Sequence, residues 1–338
     1  MNKGRPYIVL CLLIIGHVLP AKGVAQDPHF SQYFSSPLTF NPAFTGYFDG
    51  KQRLALTYRN QWANTGDPYT TGTVSFDTKI LQNHIGSNDR WGVGVHALYD
   101  ESAGGIFQNQ YLSLSTGFNK GLDAEGDQSI GIGIQATMAR NSIDFGRIYY
   151  NNQFTGSGFD ISIPSGENIN NRSVTYMDLN AGLLYNFKDE RGNRFSFGTA
   201  MYHIMKPKLS YFSNTNPTIA SRYTAHASAN LFVNETDNLF FSSHIMFQGG
   251  ATEYVLGSAY GFSLGDTDKD LYLGAWWRVA DAWYPYAGLR TQDFQLGLSY
   301  DITGSDLKRQ QKYAGSLELS FQYFFTPGIR KKGIPCFF

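Results

Sequence analysis

Ser316-Leu317-Glu318-Leu319-Ser320-Phe321-Gln322-Tyr323-Phe324-Phe325 is the stretch that decides the fold. Successive side chains of a β-strand point to opposite faces. Leu317, Leu319, Phe321, Tyr323 and Phe325 therefore share one face, against Ser316, Glu318, Ser320 and Gln322 on the other. The same design recurs upstream. Phe294, Leu296, Leu298, Tyr300 and Ile302 oppose Gln295, Gly297, Ser299 and Asp301, and Ile130, Ile132, Ile134, Ala136 and Met138 oppose Gly131, Gly133, Gln135, Thr137 and Ala139. In 176–187, Met177, Leu179, Leu183, Tyr185 and Phe187 oppose Asp178, Asn180, Gly182 and Asn186. One face is greasy and the other is small or polar.

Fourteen such segments are expected, at about 53–59, 70–80, 90–100, 107–118, 128–140, 174–187, 195–205, 222–233, 239–249, 253–263, 271–279, 283–290, 294–302 and 315–325. An even number is what a closed antiparallel barrel with both ends on one side requires. Soluble sandwiches and propellers also alternate, so the connections supply the second test. The longest, about 141–173, 206–221 and 303–314, are all odd-numbered, whereas the even-numbered ones include the short polar turns 188–194, 234–238, 265–270 and 291–293. Long loops on one side and short turns on the other are the asymmetry of outer-membrane barrels. The expected fold is all-β: a transmembrane antiparallel barrel of about 14 strands with long extracellular loops.

Composition agrees. Charged residues make up only 16% of the 338-residue chain, and aromatic residues also 16%, where about a quarter charged is usual for a globular protein. A lipid-facing band tolerates few charges, and aromatics at strand ends such as Tyr58, Tyr99, Tyr185 and Phe325 suit interfacial girdles. The ionic residues are expected in turns, loops and a basic tail, Arg330 to Lys332. A formal charge of zero removes the electrostatic case for a nucleic-acid partner, and a mean hydropathy of −0.29 excludes a bundle of membrane helices.

Lys3 and Arg5 precede an apolar run from Tyr7 to Leu19, and the small residues Gly23 and Ala25 stand at −3 and −1 of a cut before Gln26. These are the parts of a cleaved secretory signal. Its removal takes with it Lys3, Arg5 and Lys22, leaving 24 basic against 27 acidic residues, a net charge of −3. Only Cys336 then remains, so no intramolecular disulfide is expected. The organisation read from the sequence is 1–25 signal peptide, 26–50 N-terminal periplasmic or plug segment, 51–326 outer-membrane barrel, and 327–338 periplasmic tail.

Chemistry is sparse. There is no HExxH, phosphate loop or GxSxG elbow, and Gly131-Ile132-Gly133 lies within a strand, where it reads as packing in a barrel wall. Asp266, Asp268 and Asp270 have the first spacing of a calcium loop, but Leu271 replaces its glycine and Trp277 its bidentate glutamate. His96, His203, His226 and His244 fall in predicted strands as lumen-lining residues. No enzyme activity, metal or cofactor is expected.

Beyond the strands, Gln26-Asp27-Pro28-His29-Phe30-Ser31-Gln32-Tyr33-Phe34 and Asn41-Pro42-Ala43-Phe44-Thr45-Gly46, followed by Arg59-Asn60-Gln61-Trp62, form a distinctive combination. With these motifs the chain resembles the PorP/SprF family of type IX secretion system membrane proteins of Bacteroidota, and the likeness runs through Pro327-Gly328-Ile329-Arg330. The resemblance implies an outer-membrane barrel that takes part in protein export, cell-surface attachment or gliding motility beside other secretion components in the periplasm and outer membrane. It also implies a secreted cargo protein with a C-terminal sorting domain as ligand.

Two stretches are candidate partner-binding surfaces. Asp27 to Gly46 is aromatic yet punctuated by prolines, which limit backbone pairing; Phe30, Tyr33, Phe34, Asn41, Pro42 and Phe44 either plug the barrel or are offered to a partner. In the long outer loop, Tyr149, Tyr150, Phe154 and Phe159 stand among Gly, Ser and Asn, a mix suited to protein contact. The alternative function is a porin-like or specific small-molecule channel. A fourteen-stranded barrel lies between side-chain-filled and aqueous examples, and Ser113, Ser115, Asn180, Asn186, Ser228 and Asn230 suit either a wet pore or a polar plug.

Overall fold

Alternation is realised in all fourteen expected strands of the computed structural model, which describes residues 27–63, 67–167, 169, 171–212, 217–265, 269–304 and 315–325. They are β1 (Gln52–Gln61), β2 (Tyr69–Ile80), β3 (Arg90–Ser102), β4 (Phe107–Gly121), β5 (Gln128–Ile143), β6 (Ser173–Lys188), β7 (Arg194–Tyr202), β8 (Arg222–Phe232), β9 (Asn238–Gln248), β10 (Ala251–Ser263), β11 (Asp270–Arg278), β12 (Ala282–Arg290), β13 (Phe294–Thr303) and β14 (Gly315–Phe325). Each pairs antiparallel with its sequence neighbour, and β1 pairs with β14 from Gln52↔Phe325 to Gln61↔Ser316, closing the barrel. Closure leaves no edge strand with unpaired backbone groups.

The wall is inverted relative to a soluble barrel. Leu114, Ile132, Ile134, Leu183, Leu298 and Leu319 project outward and exposed, while Ser113, Ser115, Gln135, Asn180 and Ser299 on the same strands are buried inside. An apolar outer surface carried on every strand demands a hydrocarbon solvent. Tyr58, Tyr99, Tyr185 and Phe325 all lie on this outer face.

One mouth carries the turns 81–89, 122–127, 189–193, 233–237 and 291–293, with Leu264, Gly265 and Lys269, together with the start of β1 and the end of β14. The other carries the described residues of the long connections 144–172 and 203–221. These are called the turn mouth and the loop mouth below. The two long loops are joined: Phe145 packs on Tyr211 and Phe212, Ile169 bridges to Phe212, and the Asn171 amide donates to the Tyr211 carbonyl at 3.2 Å.

Two expectations need correction. The seventh strand ends at Tyr202 rather than 205, because His203 and Lys206 adopt positive φ (56° and 48°) and turn the chain, so His203 stands just past the strand. The charges are also not confined to turns, loops and tail: Arg53, Asp77, Asp178, Arg222, Glu253, Arg278, Asp301 and Glu318 sit on strands, where burial inside the lumen is tolerated by ion pairing. The signal segment, Asp266, Asp268, Cys336 and the basic tail lie outside the described residues.

Candidate functional site

Residues 27–48 occupy the lumen. Two prolines organise the segment: Pro37 opens a single helical turn (Pro37–Phe40) and Pro42 a 3-10 turn (Pro42–Phe44). Both are first helical positions, where the missing N–H costs nothing and the fixed φ helps. Asn41 joins the turns. Its side-chain oxygen caps the second by accepting from the Ala43 amide at 2.9 Å, and its Nδ2 donates to the Leu183 carbonyl at 3.0 Å.

The aromatic residues of this segment face the inner wall. Phe34 lies 5.1 Å from Trp276, 5.4 Å from Tyr286 and 5.8 Å from Phe240, ring centre to ring centre. Tyr33 meets His244 at 4.3 Å, and Phe44 meets His226 at 5.2 Å. Phe30, Tyr33, Phe34, Asn41 and Phe44 are all less than 5% exposed, and Pro42 is buried with them. The six N-terminal candidates are thus brought together as the core of a plug. His226 and His244 stand directly opposite each other on β8 and β9.

The wall makes room for the plug with a belt of glycines in register. Gly92 pairs with Gly117, Gly117 with Gly133, and Gly133 with Gly182 across β3 to β6. The Asn41 to Gly46 stretch crosses this belt so closely that a Cβ on Gly133 would lie 2.2 Å from the Pro42 carbonyl carbon. Glycine is required there by backbone approach, not by turn geometry.

Buried charge fastens the plug at three places. Glu318 accepts the successive backbone N–H groups of Ser31 and Gln32, each at 2.7 Å, while Asp301 accepts the Ser31 hydroxyl and pairs with Arg59 and Arg278 at 3.0 and 3.1 Å. Arg278 also pairs with Glu253, which holds His29 and His244. Nearer the turn mouth, Arg53 and Asp77 form a two-point ion pair that also binds the Phe44 carbonyl and Gly46 amide. Nearer the loop mouth, Asp27 pairs with His203 at 2.7 Å and Arg222 at 3.2 Å, and His203 bonds Asp178 through its other ring nitrogen. Burial alone would push the His203 imidazolium down; the bonds to Asp178 and Asp27 override it and raise its pKa to about 9. Networks of this kind hold only if their members are satisfied together.

The loop candidates form a separate cluster at the loop mouth. Phe159 lies 5.1 Å from Tyr149 and 5.2 Å from Phe154, with a backbone bridge between Phe154 and Phe159. These three are half or more exposed, whereas Tyr150 is half-buried. The plug's receptor residues were missed by sequence reasoning. Charged residues on the polar face of otherwise uncharged strands were the available signal, because a charge facing a barrel lumen needs a partner there.

A family model described as "Type IX secretion system membrane protein PorP/SprF" matches residues 23–323. Among solved structures, the toluene transporter TbuX of Ralstonia pickettii is similar at 11% identity, with 86% of this chain and 94% of that chain covered and a TM-score of 0.51. The toluene transporter TodX of Pseudomonas putida is similar at 10% identity, covering 89% of this chain and 95% of that one, with a TM-score of 0.48. At this identity the likeness to TbuX is one of fold, an outer-membrane barrel. A search of curated proteins finds no match.

Proposed function

The chain belongs to the PorP/SprF family of type IX secretion system membrane proteins, and on that premise we propose that it is a non-enzymatic outer-membrane component that docks or anchors secreted proteins at the cell surface. The filled lumen carries this reading. A plug held by aromatic packing and three sets of buried ion pairs leaves the outward loops as the surface to work with. Family membership implies other type IX components as partners. The secreted protein, engaged through its C-terminal sorting domain, would meet the exposed Tyr149, Phe154 and Phe159 cluster with the loop mouth facing outward. Aromatic residues on a loop braced by a second loop give large contact area at small ordering cost. Such a role supports secretion or gliding without catalysis.

Shortening the loop between 145 and 170 tests the proposal. Release of a surface protein into the medium, with the barrel still inserted, is the expected result; unchanged retention overturns it.

Specific small-molecule transport is the second reading. It draws support from a cavity of about 60 Å³ beside the plug, lined by His96, Tyr111, Tyr176, His203 and Arg222, and from the transporter fold of TbuX. Single-channel recording separates the two. A silent full-length barrel that conducts only after removal of 27–46 favours docking, and steady current through the intact chain favours transport.

A further inference from the structure

The pocket of about 60 Å³ beside the plug holds an unexplained histidine. His96 lines it, is only 6% exposed, and has no hydrogen-bond partner on either ring nitrogen among the described residues. A buried polar group left so costs free energy unless something else supplies the bond. Its neighbours in the pocket are engaged elsewhere. Asp27, Asp178, His203 and Arg222 pair with one another, and the Asn180 amide donates to Gln135 and Thr137 at 2.9 and 3.2 Å. Ser113, directly across from His96 on β4, shares a bond of 2.8 Å with the Thr137 hydroxyl. Two hydroxyls carry two protons and that bond uses one, so whichever of them donates, one proton of the pair is left to give.

We propose that this pocket binds a short primary carboxamide as a free solute, its carbonyl accepting the spare hydroxyl proton of Ser113 or Thr137 and its N–H donating to His96. A neutral imidazole offers one lone pair as well as one N–H, so it accepts such a bond. A primary amide carries acceptor and donor side by side on one edge, as the two facing groups require. The charges at the rim already cancel, two carboxylates against Arg222 and a protonated His203, so an ionic ligand would bring in buried charge without a partner. Size sets the rest. The volume is that of about two waters in the liquid and far below the about 150 Å³ that takes a benzene ring, which limits the ligand to about three or four non-hydrogen atoms. Leu98 and Tyr111, cross-strand partners one step nearer the loop mouth, give its short apolar end a wall. Occupancy of this pocket requires neither conduction nor cargo docking, so it stands or falls separately from both.

The test uses the full-length protein in deuterated detergent and acetamide, with the near-isosteric acetone and acetate as comparisons, read by saturation-transfer NMR on the ligand methyl group. Acetone lacks the N–H and acetate carries a charge. Acetamide is expected to give a saturable signal and to bind at least about tenfold tighter than either comparison. His96→Phe is expected to abolish the saturable signal, and the double change Ser113→Ala with Thr137→Val to weaken binding by about fivefold or more. Capped Gly-Asn-Gly, the same amide on a chain, is expected to bind more weakly than acetamide, because the space has no room for backbone. Heat-modified gel mobility checks that each variant still forms the barrel. Acetone or acetate binding as tightly as acetamide, a signal that survives His96→Phe, no weakening in the double variant, the peptide binding as tightly as acetamide, or no saturable signal at all each overturns the proposal.

Discussion

Arg53, near the start of β1, and Asp77, its cross-strand neighbour on β2, form a two-point ion pair with N···O distances of 3.0 and 2.9 Å, and both side chains are 1% exposed or less. The pair belongs to plug and wall at once, since Arg53 also donates to the Phe44 carbonyl and Asp77 accepts from the Gly46 amide. Breaking one partner leaves a buried charge uncompensated, which costs about 3–5 kcal/mol, whereas replacing both by apolar residues costs much less. Asp77→Asn should therefore lower the urea midpoint of the folded barrel more than the double change Arg53→Leu with Asp77→Leu. Tryptophan fluorescence in micelles reads the transition, and a double variant weaker than the single one counts against the pair as the latch.

The glycine belt predicts a steric effect at a distance from any charge. A Cβ at Gly133 would meet Pro42 and Ala43 backbone atoms at 2.2 and 2.3 Å, and no rotamer change relieves a clash with backbone. Gly133→Ala should displace the plug while the strand ladder persists. A cysteine placed at Thr45, wholly buried in the native lumen, should then react with a water-soluble maleimide many times faster. Gly72→Ala is the control, because a Cβ there meets nothing within 4 Å; equal labelling in both variants would exclude the belt as the plug's seat.

The contrast between Gly133 and Leu319 shows what was legible in the sequence. Leu319 announces its face by local period, as do its neighbours on β14, so fourteen strands and their outward sides could be read directly. Gly133 looks like any wall glycine until β3 to β6 are aligned in register and the Pro42 stretch is laid across them. The plug's ion pairs are hidden for the same reason: Ser31 meets Asp301 across 270 positions of sequence. The Phe30 to Phe44 aromatics were visible as a non-strand cluster, but nothing local distinguishes a lumenal core from a surface offered to a partner. The exposure of Tyr149, Phe154 and Phe159 was easier to read, because long connections run over the surface.

On β4, Leu114 points outward at 66% exposure while Ser113 and Ser115 are buried within. Lipid is the expected solvent of that outer face, and an arginine near the bilayer midplane of a barrel costs about 2–4 kcal/mol. Leu114→Arg should lower folding into vesicles by that amount, as read from urea titrations of insertion. Tolerance of Leu114→Arg in vesicles would show that β4 does not face hydrocarbon.

Asp27 and His203 give the plug a pH-dependent clasp near the loop mouth. Burial raises the Asp27 carboxyl, but Arg222 and His203 more than offset it and hold it below the usual range, so its contribution is present above about pH 4 and lost only in acid. For His203 the folded pKa of about 9 lies above the ordinary 6.5. A raised value means that the stabilisation is complete below pH 6.5 and disappears as the pH climbs through 9. The linked free energy is about 3 kcal/mol at most. The difference in urea midpoint between the native chain and His203→Gln should therefore be constant below about pH 6.5 and shrink by pH 9.5. Cysteine labelling at Pro28, carried out at pH 6 and pH 9 with rates corrected for thiolate fraction, locates the change: faster labelling at the higher pH in the native chain, and pH-independent labelling in His203→Gln, assign the loosening to this clasp rather than to the barrel wall.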